Sequence, residues 1–432
     1  MRTFLFSAFF YLLVAAVAVP YRFNFSIGPF STVSVVDIAL LMGVIFVCAR
    51  FMFFLSPIYI GPSFLATAVL LPVAISILSI IWASDKSQSL TSEIKYVYSA
   101  TCYFVALQFG RDQSRQLIVV LLVTIFFSWL AGSVAMYLGV PGFSYFVAES
   151  VAITQGETYD LFASIYTRLG HPYIGQSNDY GPPLALLGFV FLGCARFKKS
   201  ASIGVVSGLA FGACFFTFSR GLIGALIIGG ITYALLARVS IRRLAIVGIG
   251  LGFVIALGWY CVSNISIRLD DRQINAGEIV GNRLNQENID SRLRNYRDAL
   301  KLVVESPLLG YGAGFRERTN SFIVDAVHNA YLEQWKYFGL ILGTITSLCY
   351  VAIAIYFFRW RNDFFRSPAL TDAIACGWLV LLISSSVETF FEATVPRALL
   401  YFILGLCVCL VTKSPVARVT NEPIGSNALS RE

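Results

Sequence analysis

The two histidines of the chain, His171 and His328, are the side chains best suited to proton transfer near neutral pH. Both fall in polar segments between apolar runs. Two histidines without a local cluster of cysteines or carboxylates do not indicate a zinc site, and we expect neither a metal nor another cofactor. His328, which is followed by Asn329 just before an apolar run, is predicted to be a general base beside a bound anion.

Arg220 is an isolated charge in the apolar stretch 201–237, which is too long for one membrane span. The stretch is predicted to fold as two spans with a tight turn at Ser219-Arg220-Gly221. A charge at such a turn is costly unless it snorkels to the membrane interface or faces the protein interior. An arginine that snorkels to the interface has no chemical role, whereas one that faces the protein interior would bind an anion. The residue type alone allows both positions.

A basic amphipathic helix is predicted from Asp290-Ser291, an N-cap pair, to Glu305. Arg292 stands at its predicted start, where exposed backbone N–H groups favour an anion. Arg294 and Arg297 line another face of the helix. This pattern is typical of a helix that lies on a membrane surface, and it also fits a bound phosphate or pyrophosphate.

The composition places these residues in a membrane protein. Of the 432 residues, 57% are hydrophobic and only 13% are charged, whereas soluble domains carry about 25% charged residues. This composition excludes a soluble enzyme, a disordered chain and a secreted disulfide scaffold. The nine cysteines lie within or at the ends of apolar runs, where free cysteine behaves as a small hydrophobic residue.

Twelve apolar runs are predicted to cross the membrane, because a spanning helix needs about 20 mostly apolar residues. The runs lie near 4–20, 36–55, 64–82, 94–110, 116–140, 182–195, 201–219, 221–237, 243–262, 336–358, 369–387 and 397–412. The first run also resembles a signal peptide, with Ala16-Val17-Ala18 as its cleavage site. The net charge of +8 does not indicate a nucleic-acid partner, because the basic clusters lie in short loops between the runs.

The basic clusters predict the orientation of the chain. When the apolar runs are numbered in chain order, the clusters lie in loops that lead from an even-numbered run to the next odd-numbered one (even-to-odd loops). These loops are near 111–115, 196–199, 238–243 and 359–366. Short basic loops remain in the cytoplasm, so both termini are predicted to be cytoplasmic and the odd-to-even loops to face outward.

This topology divides the chain into six parts. They are transmembrane helices 1–5 at 1–140, an outer loop at 141–181, helices 6–9 at 182–262, a large outer loop at 263–335, helices 10–12 at 336–412, and a cytoplasmic tail at 413–432. The two outer loops are the large polar segments and contain both histidines. We therefore expect the chemistry at the outer face.

Several segments resemble the O-antigen ligase/polymerase superfamily. They are Ser291-Arg292 to Leu300, Pro307-Leu308-Leu309-Gly310-Tyr311-Gly312, His328-Asn329-Ala330-Tyr331-Leu332, Thr217-Phe218-Ser219-Arg220-Gly221 and, more loosely, 168–178. In the histidine motif of the ligases, His328-Asn329 and Gly339 match. Leu342 departs from that motif, because ligases have glycine, threonine or tyrosine at its position.

The resemblance implies an all-α polytopic membrane protein with a C-type glycosyltransferase fold. Its active site would lie in the partly helical periplasmic loop between spans 9 and 10, at the bacterial inner membrane. The implied donor is a glycan on undecaprenyl diphosphate. Arg220 and Arg292, with Arg168 as a third, would hold the diphosphate, while His328 takes the proton of the acceptor hydroxyl. Further polar residues are expected to support this site: Asn329, Arg294 and Arg297.

Three functions fit this sequence. We favour an O-antigen ligase, which transfers the glycan to lipid A–core. The alternatives are a polymerase of O-antigen or exopolysaccharide repeat units and, from another class, a polytopic transporter. The expected partners are the lipid-linked donor, a lipid A–core or glycan acceptor, membrane lipids, and a flippase or chain-length regulator, with no nucleic acid.

Overall fold

The computed structural model of the chain is mainly helical. It describes residues 11–12, 14–18, 22–23, 33–54, 58–137, 169–171, 174, 177–217, 219–239, 256, 260, 266–269, 272–275, 286–315, 327–359, 368–388, 391 and 394–412. Most of the predicted outer loop 141–181, the predicted span 243–262 and the tail 413–432 lie outside these residues.

The described helices follow one another along the chain. They are α1 Val35–Phe54, α2 Ser63–Ser79, α3 Lys86–Gly110, α4 Arg115–Tyr137, α5 Ser177–Lys198, α6 Ala201–Phe216, α7 Arg220–Leu236, α8 Gln286–Glu305, α9 Ala330–Arg359, α10 Pro368–Ser385 and α11 Thr394–Val411. Two short antiparallel strand pairs accompany the helices, whose predominance agrees with the predicted all-α class. They are β1 (Arg22–Phe23) with β2 (Val33–Ser34) and β3 (Ser266–Leu269) with β4 (Arg272–Asn275). In the second pair, the β-branched residues Ile267 and Ile274 lie opposite each other, which favours strand pairing.

Four described helices are long and apolar enough to cross a membrane: Arg115–Met136, Asn178–Lys198, Ala330–Arg359 and Pro368–Ser385. Four shorter helices are also apolar: Ser63–Ser79, Ala201–Phe216, Arg220–Leu236 and Val395–Val411. Each of the eight coincides with a predicted span, which supports a multi-pass membrane protein. The total of twelve spans stays a prediction. The predicted split of 201–237 into two helices is confirmed, because α6 ends at Phe216 and α7 begins at Arg220.

Helix α10 is buried along most of its length, with α5, α7 and α9 packed around it. Glycines on two of these neighbours permit a close approach. A Cβ added to Gly193 of α5 would lie 2.8 Å from the Ala373 Cβ, and one added to Gly229 of α7 would collide with the Val380 side chain. Small residues allow membrane helices to approach in this way. The packing fixes the position of the C-terminal end of α10, which leads into the candidate site.

Helix α9 is broken at Gly339, whose φ of 72° and ψ of 178° are not helical. The predicted span 336–358 therefore contains a break that its apolar pattern did not indicate. Residues 340–359 beyond the break are long enough, at about 1.5 Å per residue, to cross roughly 30 Å of hydrocarbon. Residues 330–338 form a separate short helical segment in front of that span.

The glycine loop, residues 307–315, packs on the break. Three backbone hydrogen bonds join the two segments: Leu340 N to Pro307 O (2.7 Å), Tyr311 N to Lys336 O (3.0 Å) and Gly312 N to Tyr337 O (2.9 Å). They satisfy main-chain groups that the break would leave without partners. Gly310 has a φ of 65°, and a Cβ there would lie 2.6 Å from the Gly339 nitrogen. The loop therefore fixes the short segment of α9 to the rest of the protein.

We expect Gly310→Ala to destabilise the protein by more than about 1 kcal/mol, because alanine in a left-handed conformation would also meet the backbone of α9. Gly208→Ala in α6 is the matched control, since nothing lies within 4 Å of an added Cβ there. The control should be neutral or slightly stabilising, because alanine favours helix. Thermal unfolding of detergent-solubilised protein tests this, and equal melting temperatures for the two variants would contradict the role of the loop.

Candidate functional site

The Glu388 carboxylate connects two of the predicted site residues. Its Oε1 lies 3.0 Å from Arg292 Nη2, and its Oε2 lies 3.4 Å from His328 Nδ1. Arg292 belongs to α8, His328 precedes α9, and Glu388 follows α10. We call these three residues the histidine–glutamate–arginine cluster. The structure thus brings together residues that are 36 to 96 positions apart in the chain.

Arg292 has two bonds to the end of α10. Besides its ion pair with Glu388, it donates from Nη1 to Val387 O at 3.1 Å. Its side chain remains 31% exposed, so part of its surface is accessible beside the cluster. Helix α8 begins at Gln286 rather than at Ser291, because Asp290 and Ser291 lie inside the helix. The prediction that Arg292 stands at a helix start is therefore wrong, and its affinity for an anion must come from its guanidinium group.

His328 is held by its main chain as well as by its ring. Its φ of 55° is in the left-handed region, which is uncommon for residues other than glycine. Its carbonyl oxygen accepts a hydrogen bond from Tyr296 Oη at 3.1 Å. Its Nδ1 is buried, while the side chain as a whole is 35% exposed. The exposed surface therefore belongs to other atoms of the side chain, and the ring has one buried nitrogen facing Glu388.

Asn329 caps α9. Its Oδ1 accepts hydrogen bonds from Tyr331 N at 3.0 Å and Leu332 N at 3.1 Å, which satisfies two N–H groups of the first turn. This placement uses the side-chain oxygen of Asn329 in the helix. Asn329 thus supports the site by fixing where α9 begins, directly after His328.

The charge of Glu388 results from opposing effects. Burial raises the pKa of Glu388, whereas contacts with His328 and the Arg292 guanidinium lower it. The contacts outweigh burial, so the pKa lies below the ordinary value. Glu388 is therefore ionised at neutral pH. At 3.4 Å its contact with His328 is longer than a typical hydrogen bond. A buried anion at this distance nevertheless favours the form of the ring that has a proton on Nδ1.

Arg220 is the exposed first residue of α7. The next residue, Gly221, packs against Val387, and an added Cβ would collide with the Val387 side chain. The N-terminus of α7 is therefore adjacent to the cluster, because Val387 precedes Glu388. Ser219, the N-cap of α7, makes no side-chain capping bond, so helix N–H groups are not used by a cap there.

The other predicted residues lie elsewhere. Arg168 is outside the described residues, although the backbone nitrogen of Leu169 donates to Phe216 O at 2.8 Å. Arg294 and Arg297 are exposed on other faces of α8, and no described contact joins them to the cluster. His171 is buried, and its Nδ1 accepts from Ile174 N at 3.2 Å. That bond identifies His171 as part of the internal structure.

Two residues of the site were not predicted in these roles. Glu388 follows the predicted span 369–387, and its position as a carboxylate at the predicted outer end of an apolar run was the available signal. Tyr296 lies on α8, and nothing in the sequence indicated its bond to His328. Among the described residues, no group of three or more histidine, cysteine, aspartate and glutamate side chains has an arrangement that would hold a metal ion.

The fold and the cluster define a multi-pass helical membrane protein with a charged site where the ends of α7 and α10 meet α8 and the start of α9. Residues 205–347 match the family model described as O-antigen ligase. This match, over about a third of the chain, supports the resemblance to the O-antigen ligase/polymerase superfamily that the sequence motifs indicated. The matched region includes Arg220, Arg292 and His328, whereas Glu388 lies beyond it. No curated protein matches the chain.

We expect Glu388→Gln to remove a stabilising contribution of roughly 1–3 kcal/mol at neutral pH, because Arg292 and His328 lose their anion. The pKa of Glu388 lies below its ordinary value of 4.5. Its contribution is therefore present above about pH 4.5 and is lost as the pH falls through the lowered pKa. The advantage of the parent over the variant should shrink in that acidic range.

Melting temperatures of the two proteins, measured at neutral pH and at pH values below 4.5, test this expectation. Asp298→Asn is the control, because Asp298 forms an exposed ion pair with Lys301 and exposed pairs contribute little. A difference between the parent and Glu388→Gln that does not vary with pH would contradict the assigned charge.

Proposed function

We propose that the protein is a glycosyltransferase of the membrane. It would transfer a glycan from undecaprenyl diphosphate to an acceptor hydroxyl at the periplasmic face of the bacterial inner membrane. The observation that supports this most is the cluster itself. His328 is held against Glu388, Arg292 binds the same carboxylate, and the N-terminus of α7 with Arg220 is adjacent.

His328 is the general base in this proposal. Ionised Glu388 keeps a proton on Nδ1, which leaves the other ring nitrogen free to accept a proton. The acceptor oxygen attacks the anomeric carbon, its proton passes to His328, and the bond from that carbon to the diphosphate oxygen breaks. Glu388 then stabilises the protonated ring, because an anion beside an imidazolium is favourable. Attack from the face opposite the leaving group would invert the anomeric centre.

The arginines hold the diphosphate. Arg292 offers the accessible part of its guanidinium group, and Arg220 adds a second charge at the N-terminus of α7, where the helix dipole also favours an anion. Arg168 is the proposed third member. Stabilising the charge that develops on the leaving group is the task that a metal ion performs in other transferases. Guanidinium groups can perform it here, and no cofactor is proposed.

The molecule that accepts the glycan distinguishes the ligase and polymerase functions of the family. We favour a ligase that transfers the glycan to lipid A–core, as the family model is described as O-antigen ligase. A polymerase of repeat units is the alternative, which the departure at Leu342 from the ligase motif favours. A transporter is the alternative of another class, and it would require no base beside the arginines. A flippase or a chain-length regulator is the expected protein partner.

His328→Ala should reduce transfer by about 10²–10⁴-fold, because the base is lost. The assay uses purified protein, a lipid-linked glycan donor and a lipid A–core acceptor, with product measured by gel or mass spectrometry. Insertion and melting temperature of the variant must match the parent. A correctly folded variant with full activity would exclude His328 as the base.

Arg220→Lys tests whether the geometry of the guanidinium group matters. Lysine keeps the charge but cannot form a bidentate bond to phosphate oxygens, so we expect a clear loss of transfer. Arg238→Lys, in the predicted cytoplasmic loop after α7, is the matched control. Equal activity of both variants with the parent would favour simple snorkelling of Arg220 to the interface.

The glycans of a deletion strain separate the two branches of the family. Loss of a ligase should leave long chains attached to the carrier lipid. Loss of a polymerase should leave single repeat units, whether on the carrier or on the core. If the deletion is made in a bacterium that produces O-antigen and neither change is seen, both functions are contradicted and the transporter is favoured.

A further inference from the structure

Helix α8 has two apolar faces, and only one of them is covered by the described protein. Ala299 packs with Leu332 of α9, and Val303, about one turn farther along α8, is also buried. The other face is exposed: Leu293 is 53%, Leu300 45% and Val304 76% accessible. Their spacing of seven and four residues places these three side chains in one strip along the helix.

The charges of α8 are ordered around this exposed strip. At about 100° per residue, the basic side chains Arg297, Lys301 and Arg294 follow the strip on the side away from the buried face. The acidic side chains Asp298 and Glu305 come next and lie farther from the strip. All five are exposed. Basic groups therefore border the apolar strip, as in helices that lie in a membrane interface with cations at the level of the phosphates.

The exposed strip continues into the surface of the helices that are apolar enough to cross the membrane. Leu308 and Leu309, which follow α8, are 69% and 48% exposed. Trp82 Nε1 donates to Leu309 O at 2.6 Å, and the neighbouring Ile81, just beyond α2, is 76% exposed. Ile341 is 61% exposed and begins the straight part of α9. The backbone hydrogen bond from Leu340 N to Pro307 O places Ile341 beside the glycine loop.

We propose that the exposed face of α8 docks on the bilayer surface at this end of the helices. Leu293, Leu300 and Val304 enter the boundary between head groups and acyl chains, and the adjoining basic side chains contact anionic lipid phosphates. The partner is the membrane itself, and the docking does not depend on the transfer reaction. Its consequence is that Arg292 is held near the level of the head groups, on a helix whose depth the lipid determines.

A fluorescent label at Val304→Cys in the full-length protein tests the docking in lipid nanodiscs. Asp298→Cys is the matched control, because Asp298 lies on the same helix away from the strip. The parent protein is labelled in parallel, and the signal from its native cysteines is subtracted. We expect lipids with a quencher near the head group to quench the label at 304 more than the label at 298. A water-soluble quencher should give the reverse order.

The lipid charge provides a second measurement. Raising the phosphatidylglycerol content of the nanodiscs should increase lipid quenching at 304, and the double variant Arg294→Gln/Arg297→Gln should lose most of this increase. Equal exposure of both labels to the water-soluble quencher would overturn the proposal. A label at 304 that is shielded from both quenchers would also overturn it, because a protein surface rather than lipid would then cover the strip.

Discussion

The shared carboxylate of Glu388 is the interaction on which the rest of the site depends. A buried anion must be paired, since leaving it alone in a low-dielectric interior costs several kcal/mol. Arg292 and His328 supply the pairing from two other elements, so the positions of α8, the start of α9 and the end of α10 are mutually fixed. Glu388 closely follows the buried helix α10, so the packing of that helix determines where the shared carboxylate lies.

Around this interaction, the backbone near His328 is specified several times over. Tyr296 binds its carbonyl, Asn329 caps the helix that follows, and Glu388 faces its ring. A left-handed conformation at a residue other than glycine persists only where the surroundings determine it in this way. The strain at His328 is thus a product of the same contacts that hold its ring against Glu388.

Local patterns predicted a large part of this arrangement, and tertiary contacts account for what was missed. The apolar runs predicted the membrane helices, and the turn before Arg220 was predicted as well. The helix that ends at Glu305 was predicted, but with a start too late in the chain. Glu388 lies far from His328 in sequence, and only the packing of α10 brings them together. The break at Gly339 interrupts no apolar pattern, because glycine fits an apolar run in either conformation.

The break in α9 has a mechanical consequence. The short helical segment 330–338, which acts as a lever, is about 13 Å long. The break at Gly339 is the joint at one end, and His328 precedes the other end. A rotation of about 10° at the joint would move His328 by roughly 2 Å, a displacement on the scale that changes rates by orders of magnitude. The glycine loop bonds to this lever next to its joint, at Lys336 and Tyr337, and Glu388 contacts it at its tip. The position of His328 is therefore set at two points, one of which is formed by backbone atoms alone.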